Sequence, residues 1–214
     1  RAIREQQRIA MTNAVAHNLK TPLCVINGFS ENLREESGYL TKQHYINVIQ
    51  EQANEMDILV HKMLNFSKLE SDSAKLNIKS FNIKTELENI AKKYNDISSK
   101  NIIVTADDKE IFADKELMEL VFENLIENAV KYSKDNSDIK ISFANNNFNI
   151  SNECDEISKK DLKKIWKPYN RLEKDEEVRG TGIGLSIVKH ILKLHRIKPY
   201  TEYSGGRLII GFYI

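Results

Sequence analysis

Residues 123–133 read Glu123-Asn124-Leu125-Ile126-Glu127-Asn128-Ala129-Val130-Lys131-Tyr132-Ser133, and this stretch decides the fold. Asparagines four apart share one face of a helix, where their side-chain carbonyl oxygens can face a magnesium ion. Lys131 follows Asn128 by one turn and adds a cation to that end. Further along, Gly180-Thr181-Gly182-Ile183-Gly184-Leu185-Ser186 sets glycines before a helix, a pattern that lets backbone N–H groups approach phosphate closely. Each half alone is weak, since a helical Asn is usually a surface or capping residue and Gly-x-Gly-x-Gly is most often a turn. Their joint order points to a nucleotide site.

Around this segment the chain reads as an α/β domain. Short β-rich runs occur at Leu76–Phe81, Ile102–Ala106, Ile139–Phe143 and Phe148–Ile150, with last strands at Pro199–Tyr203 and Arg207–Tyr213. Helices are expected at Lys84–Asn95, Lys115–Ser133, Lys159–Ile165 and Ile183–His195, and Asn145-Asn146-Asn147 is read as a hairpin turn. The first third differs. From Arg1 to about Glu35, Ala10, Ala14, Leu19, Leu23, Ile26, Phe29 and Leu33 recur at helical spacing, with Pro22 expected to bend the axis. After the turn Glu36-Ser37-Gly38-Tyr39, a second helix from about Thr41 to Leu69 presents Ile46, Ile49, Met56, Leu59, Met63 and Phe66. Two such helices bury one face each, so their stripes are expected to meet a second copy in a four-helix bundle. The expected division is 1–72 for the hairpin and 73–214 for the α/β domain.

Composition narrows the functional classes. Thirty-two basic residues against thirty-one acidic give a net charge of +1, which argues against a broad nucleic-acid footprint. Cys24 and Cys154 lack metal or redox spacing and are read as reduced thiols of a cytosolic protein. His44, His61, His190 and His195 form no ligand grouping and are read as surface or packing residues. No apolar run of about eighteen residues is present, so no membrane contact is expected within these residues. The start at Arg1, without Met, suggests a fragment of a longer chain.

The first helix carries His17-Asn18-Leu19-Lys20-Thr21-Pro22-Leu23, which resembles the phosphoacceptor box of bacterial sensor histidine kinases in two-component signalling. Asn124 to Ser133 is similar to that family's asparagine box, Ile165-Trp166-Lys167-Pro168-Tyr169 to its aromatic box and Gly180 to Leu185 to its second glycine box. The resemblance covers nearly the whole chain. It implies an α+β protein in which a helical hairpin, forming a dimeric four-helix bundle, precedes an α/β sandwich ATP-binding domain of the histidine kinase, gyrase and chaperone type. It further implies a homodimeric protein-histidine kinase that uses ATP and magnesium, phosphorylates His17 and passes the phosphoryl group to an aspartate of a response-regulator receiver domain. Asn124 and Asn128 would hold magnesium, Lys131 would neutralise phosphate charge and Tyr132 would lie near the adenine or in the core. Gly180, Gly182, Gly184 and Leu185 would line the phosphates, Arg171 is a candidate for the γ-phosphate or a surface residue, and Asn170 to Arg179 would form a lid. Thr21, four residues after His17, would orient a water for dephosphorylating the partner or serve a structural role. The relatives that hydrolyse ATP place a Glu where this chain has Asn124, so the kinase branch fits better.

Two positions depart from the family pattern. Asn18 stands where an acidic residue usually follows the phosphoacceptor; an amide orients an imidazole but takes no proton from it, so slower autophosphorylation is expected. After the strand ending at Ile150 the chain reads Ser151-Asn152-Glu153-Cys154-Asp155-Glu156-Ile157. Aligned on Ile157, Asn152 replaces the Asp that accepts the adenine amino group, and Cys154 and Glu156 replace glycines. A neutral acceptor in place of a charged one weakens nucleotide binding by about 10–100-fold. The alternative reading is a degenerate pseudokinase that docks a regulator or acts as a phosphatase.

Overall fold

The computed structural model of the protein describes residues 19–34, 42–70, 76–168 and 182–214. His17, Asn18, Arg171, Gly180 and the expected lid segment lie outside the described residues. The chain divides into two compact units, Arg1–Asp72 and Ser73–Ile214.

In the first unit, residues 19–34 are helical (α1) and Lys42–Glu70 form α2. Pro22 lies inside the helical stretch and is buried. The two helices meet through aromatic edges: the Phe29 and Tyr45 rings stand 5.7 Å apart at 64°, and Tyr45 is buried. Part of the apolar surface stays open, with Leu23, Ile46 and Val60 between 38% and 47% exposed. No helix among the described residues is long and apolar enough to cross a membrane.

The second unit holds β1 (Ile78–Asn82), α3 (Ile83–Ile97), β2 (Ile102–Ala106), β3 (Glu110–Asp114), α4 (Lys115–Tyr132), β4 (Ile139–Ala144), β5 (Asn147–Glu153), α5 (Lys159–Lys164), α6 (Gly184–Leu194), β6 (Tyr200–Ser204) and β7 (Arg207–Tyr213). Five strands form one sheet in the order β2-β4-β5-β7-β6, in which β2 and β4 run parallel and the other pairs antiparallel. Period-two alternation buries Ile139, Ile141 and Phe143 on β4, Phe148 and Ile150 on β5, and Leu208, Ile210 and Phe212 on β7. The core they form includes Met118, Val121, Phe122, Leu125 and Ile126 of α4 and Ile187, Val188 and Ile191 of α6. At its centre Phe122, Phe148 and Phe212 make a ring cluster with centroids 5.1 and 4.8 Å from Phe148. Such pairs add about 0.5–1.5 kcal/mol each beyond burial.

Local chemistry fixes the ends of these elements. Asn82, Asp114 and Ser158 accept hydrogen bonds from the first-turn N–H groups of Thr85, Leu117 and Asp161, capping α3, α4 and α5. Asn145 and Asn146 adopt φ of 52° and 62°, the two-residue turn that matches strand twist, and Asn147 already opens β5. Between α3 and α4, Lys93 Nζ meets Glu123 Oε1 at 2.7 Å, and this bond raises the lysine above its ordinary pKa. Lys115 is raised in the same way by Glu86, 3.0 Å away.

Three features differ from the sequence expectation. Strand β3 was not anticipated: Phe112 at its middle is 74% exposed, so it lacks an apolar alternation, and its pairing with β1 defines it. Those two strands form a separate two-stranded sheet, and β1 begins at Ile78 rather than Leu76. Strand β5 runs on to Glu153 instead of ending at Ile150, because β7 offers ladder partners to the polar residues Ser151, Asn152 and Glu153.

The last helix ends at Leu194 in a Schellman turn: the N–H of Ile197 donates to Leu192 O at 2.8 Å and that of Arg196 to Lys193 O at 3.0 Å. Arg196 occupies the left-handed seat at φ 61°. Arg196→Gly should therefore stabilise the domain by about 0.5–1 kcal/mol, the side-chain strain relieved less the entropy glycine adds to the unfolded chain. A chemical-denaturation midpoint checks it; an unchanged or lower midpoint would show that the arginine is not strained.

Candidate nucleotide site

Helix α4 is anchored by its apolar face, and this fixes where its polar residues lie. Asn124 is 3% exposed; its Nδ2 donates to Leu120 O at 2.7 Å, while its Oδ1 is buried with no hydrogen-bond partner among the described residues. A buried carbonyl left unpaired costs about 1–3 kcal/mol, so its retention calls for a ligand or a packing reason. That oxygen faces Gly184, the first residue of α6: a Cβ built on Gly184 would stand 3.0 Å from it. The absence of a side chain at Gly184 thus allows the asparagine box and the glycine segment to touch. Gly182, just ahead, takes φ 66°.

The start of α6 differs from the other helices in a second respect. Among the described residues no side chain caps it at Ile183, whereas α3, α4 and α5 all have polar caps. The N-terminus of an eleven-residue helix without a side-chain cap offers N–H groups and a positive dipole end to an anion. A buried, unpartnered carboxamide oxygen beside glycine-opened N–H groups suits a magnesium-bound polyphosphate, the oxygen toward the cation and the N–H groups toward phosphate. The residues present therefore fit the implied ATP and magnesium.

Asn128, Lys131 and Tyr132 follow on α4, each half-buried, with Lys131 Nζ 5.4 Å from the Tyr132 ring centre. Leu185 is half-buried in the first turn of α6. Asn152, on β5, is 3% exposed, and its Nδ2 donates to Glu153 O at 3.3 Å. The N–H of Lys134 donates to that same Glu153 carbonyl at 2.9 Å, so the chain leaving α4 abuts the end of β5 beside Asn152. Cys154 is buried and Glu156 exposed; no residue from 151 to 157 has positive φ, so the side chains standing in for glycines add no left-handed strain. Thr21 is exposed on α1. Among the described residues no group of three or more His, Cys, Asp or Glu side chains is placed to hold a metal.

Two residues around this site were not singled out in the sequence. Lys100, before β2, donates from Nζ to Ser133 O, Lys134 O and Asp135 Oδ1 at 3.2, 2.8 and 3.0 Å. Arg207 reaches Glu153 Oε1, Asp138 O and Ser151 O at 2.9, 2.8 and 3.1 Å. Together they hold residues 133–138 against the sheet. Lys100 stands in a polar stretch that sequence patterning treats as solvent-facing, and Arg207 is the single charged residue opening the apolar strand β7.

An α/β unit whose helix α4 carries two carboxamides, one of them against a glycine-opened helix, has the make-up of a nucleotide-binding domain, and a separate helical unit precedes it in the chain. Residues 7–72 match the His Kinase A (phospho-acceptor) domain and residues 113–210 the Histidine kinase-, DNA gyrase B-, and HSP90-like ATPase family. Over 95% of its length the chain is 25% identical to the sensor histidine kinase ArsS of Helicobacter pylori, covering 46% of that protein. It is 28% identical to the sensor protein kinase WalK of Staphylococcus aureus, again over 95% of its length and 52% of the relative. Among solved structures, the histidine kinase ThkA in complex with the response regulator protein TrrA superposes with a TM-score of 0.72 at 22% identity, covering 99% of this chain and 63% of that one. The chain belongs to the sensor histidine kinases. It spans about half the length of the curated relatives it matches.

Proposed function

We propose that this chain is the phosphotransfer and ATP-binding part of a homodimeric protein-histidine kinase: it phosphorylates His17 from ATP and passes the phosphoryl group to an aspartate of a response-regulator receiver domain. The observation that carries this reading is the meeting of Asn124 with Gly184 at the start of α6, which no described side chain caps. On this reading residues 1–72 dimerise and carry the phosphoacceptor, and residues 73–214 bind the nucleotide. The open stripe of Leu23, Ile46 and Val60 supports a second copy. On this reading these residues are the cytoplasmic portion of a membrane-anchored sensor, where ATP and a receiver partner are at hand, and ThkA's complex with TrrA supports the choice of partner.

The roles follow from the side chains. Asn124 and Asn128 would hold magnesium through their carbonyl oxygens, and the ion would supply positive charge to the transferring phosphates. Lys131 acts as a point cation on the phosphates, and Gly180, Gly182, Gly184 and Leu185 present backbone N–H groups. Arg171 takes the γ-phosphate end and Tyr132 closes the base side. Asn152 accepts from the adenine amino group. A ring nitrogen of His17 attacks the γ-phosphorus as the bond to the β-phosphate oxygen breaks, and Asn18 orients the ring. Thr21 orients the water that hydrolyses the phosphorylated partner. Incubation with γ-labelled ATP and magnesium tests the reading: acid-labile, alkali-stable label supports it, and no label on the folded dimer at millimolar ATP overturns it.

Asn152→Asp separates affinity from stability. Without nucleotide, a buried carboxylate would lose the donor that Asn152 gives to Glu153 O and would face that carbonyl, lowering stability by about 1–3 kcal/mol. With ATP, a charge-assisted bond should tighten binding by about tenfold. Melting of both forms with and without MgATP reads the two effects, and an unchanged ATP-induced rise in Tm would show that residue 152 does not face the base.

A further inference from the structure

Lys100 is a lysine in a turn, between α3 and β2 in Ser98-Ser99-Lys100-Asn101, yet its side chain is only 10% exposed. Removing an ammonium from water is costly unless every N–H finds an acceptor. Here all three do: Ser133 O, Lys134 O and Asp135 Oδ1, at 3.2, 2.8 and 3.0 Å. Asp135 is itself fully exposed, so the buried work of the ammonium is on the two carbonyls. Ser133 is the C-cap of α4, where aligned peptide dipoles leave negative charge that a cation satisfies. On its other side, Lys134 bonds through its N–H to Glu153 O of β5, next to Asn152. The chain leaving α4 is therefore clamped between a buried cation and the strand that carries the base-reading residue.

We propose that Lys100 is a positioning residue for nucleotide binding: without touching the nucleotide, it holds the last turn of α4, with Asn128 and Lys131, in register with Asn152 so that one ATP meets both ends of the site. This rests on the nucleotide site described under Proposed function. A purely structural lysine would lower stability alone; a positioning lysine lowers ATP affinity in protein that is still fully folded.

The test is MgATP affinity, by calorimetry on the intact chain well below its melting temperature, for wild type, Lys100→Met, Lys100→Arg and Asn82→Ala. The last removes the α3 cap and serves as a destabilised control. Lys100→Met should weaken MgATP binding by about tenfold, an amount equal to 1.4 kcal/mol. Lys100→Arg, which keeps charge and donors, should recover most of it, and Asn82→Ala should bind as wild type does. Equal affinities for Lys100→Met and wild type, or equal losses in Lys100→Met and Asn82→Ala, would overturn the positioning role. Absence of binding by folded wild type would instead overturn the nucleotide site itself. Should Lys100→Met fail to fold, Lys100→Gln, which keeps two donors, is judged by the same criteria.

Discussion

With His17 replaced by alanine, incorporation of phosphate from γ-labelled ATP should fall to background, while MgATP affinity stays within about twofold of wild type. The chemistry requires this asymmetry. The proposed nucleophile belongs to the first unit and the proposed phosphate-binding groups to the second, so on this reading removing the imidazole takes away the acceptor and leaves Asn124, Asn128 and the α6 terminus intact. Autoradiography after acid and alkali washes measures the first quantity, and calorimetry the second. Persistent label on His17→Ala would move the acceptor elsewhere in the chain. The neighbouring position gives a graded companion result. Asn18 can hold one imidazole tautomer by hydrogen bonding but cannot stabilise an imidazolium by charge, so Asn18→Asp should raise the labelling rate. In serine proteases the comparable Asp-to-Asn change costs roughly 10⁴ in rate, but a loose phosphoryl transfer depends more on positioning, so a smaller gain is expected here.

Gly211→Ala should have the largest effect on stability. Gly211 lies on β7 between Asn149 of β5 and Tyr200 of β6, its direct neighbours in register on either side. A Cβ there would stand 2.5 Å from both Cζ and the hydroxyl of Tyr200 and would also collide with Asn149 Oδ1. The ring has little room to retreat, because its hydroxyl donates to Asn147 Oδ1 at 3.0 Å and to Asn149 Oδ1. Overpacking costs about 1–3 kcal/mol and each hydrogen bond lost about 0.5–1.5, so a loss of about 3 kcal/mol is expected. For a domain of this size that is a fall of about 10 °C in Tm. Adding Tyr200→Ser, which removes the obstructing ring, should recover part of the loss. A melting temperature for Gly211→Ala within about 1 °C of wild type would show that the ring does not rest on the glycine.

How far the sequence reveals this molecule depends on where the information for each element resides. Helix α4 is legible because its apolar periodicity, N-terminal Asp114 and paired asparagines are local, and β7 because Leu208-Ile209-Ile210 and Phe212-Tyr213 make a dense run of β-formers after Gly205-Gly206. Strand β3 and the end of β5 exist through their ladder partners, and Phe112 or Asn152 alone gives no sign of that pairing. The types of the site residues are legible, but their environment is not: that Asn124 turns toward Gly184 an oxygen without a partner among the described residues depends on how α4 and α6 pack. Lys100 is hardest of all, since a lysine among serines reads as solvated until carbonyls 33 and 34 residues away come to meet it.

Trp166, from the aromatic segment after α5, donates through its indole Nε1 to Thr201 Oγ1 of β6 at 2.8 Å. It is the only tryptophan in a chain with eight tyrosines, so red-edge excitation isolates one fluorophore. An indole that is half-buried and bonded to a strand hydroxyl changes its emission colour when that bond is exchanged for water. The protein thus carries an intrinsic optical gauge of whether the aromatic segment is seated on β6, and a stopped-flow trace could follow it in real time with no label attached.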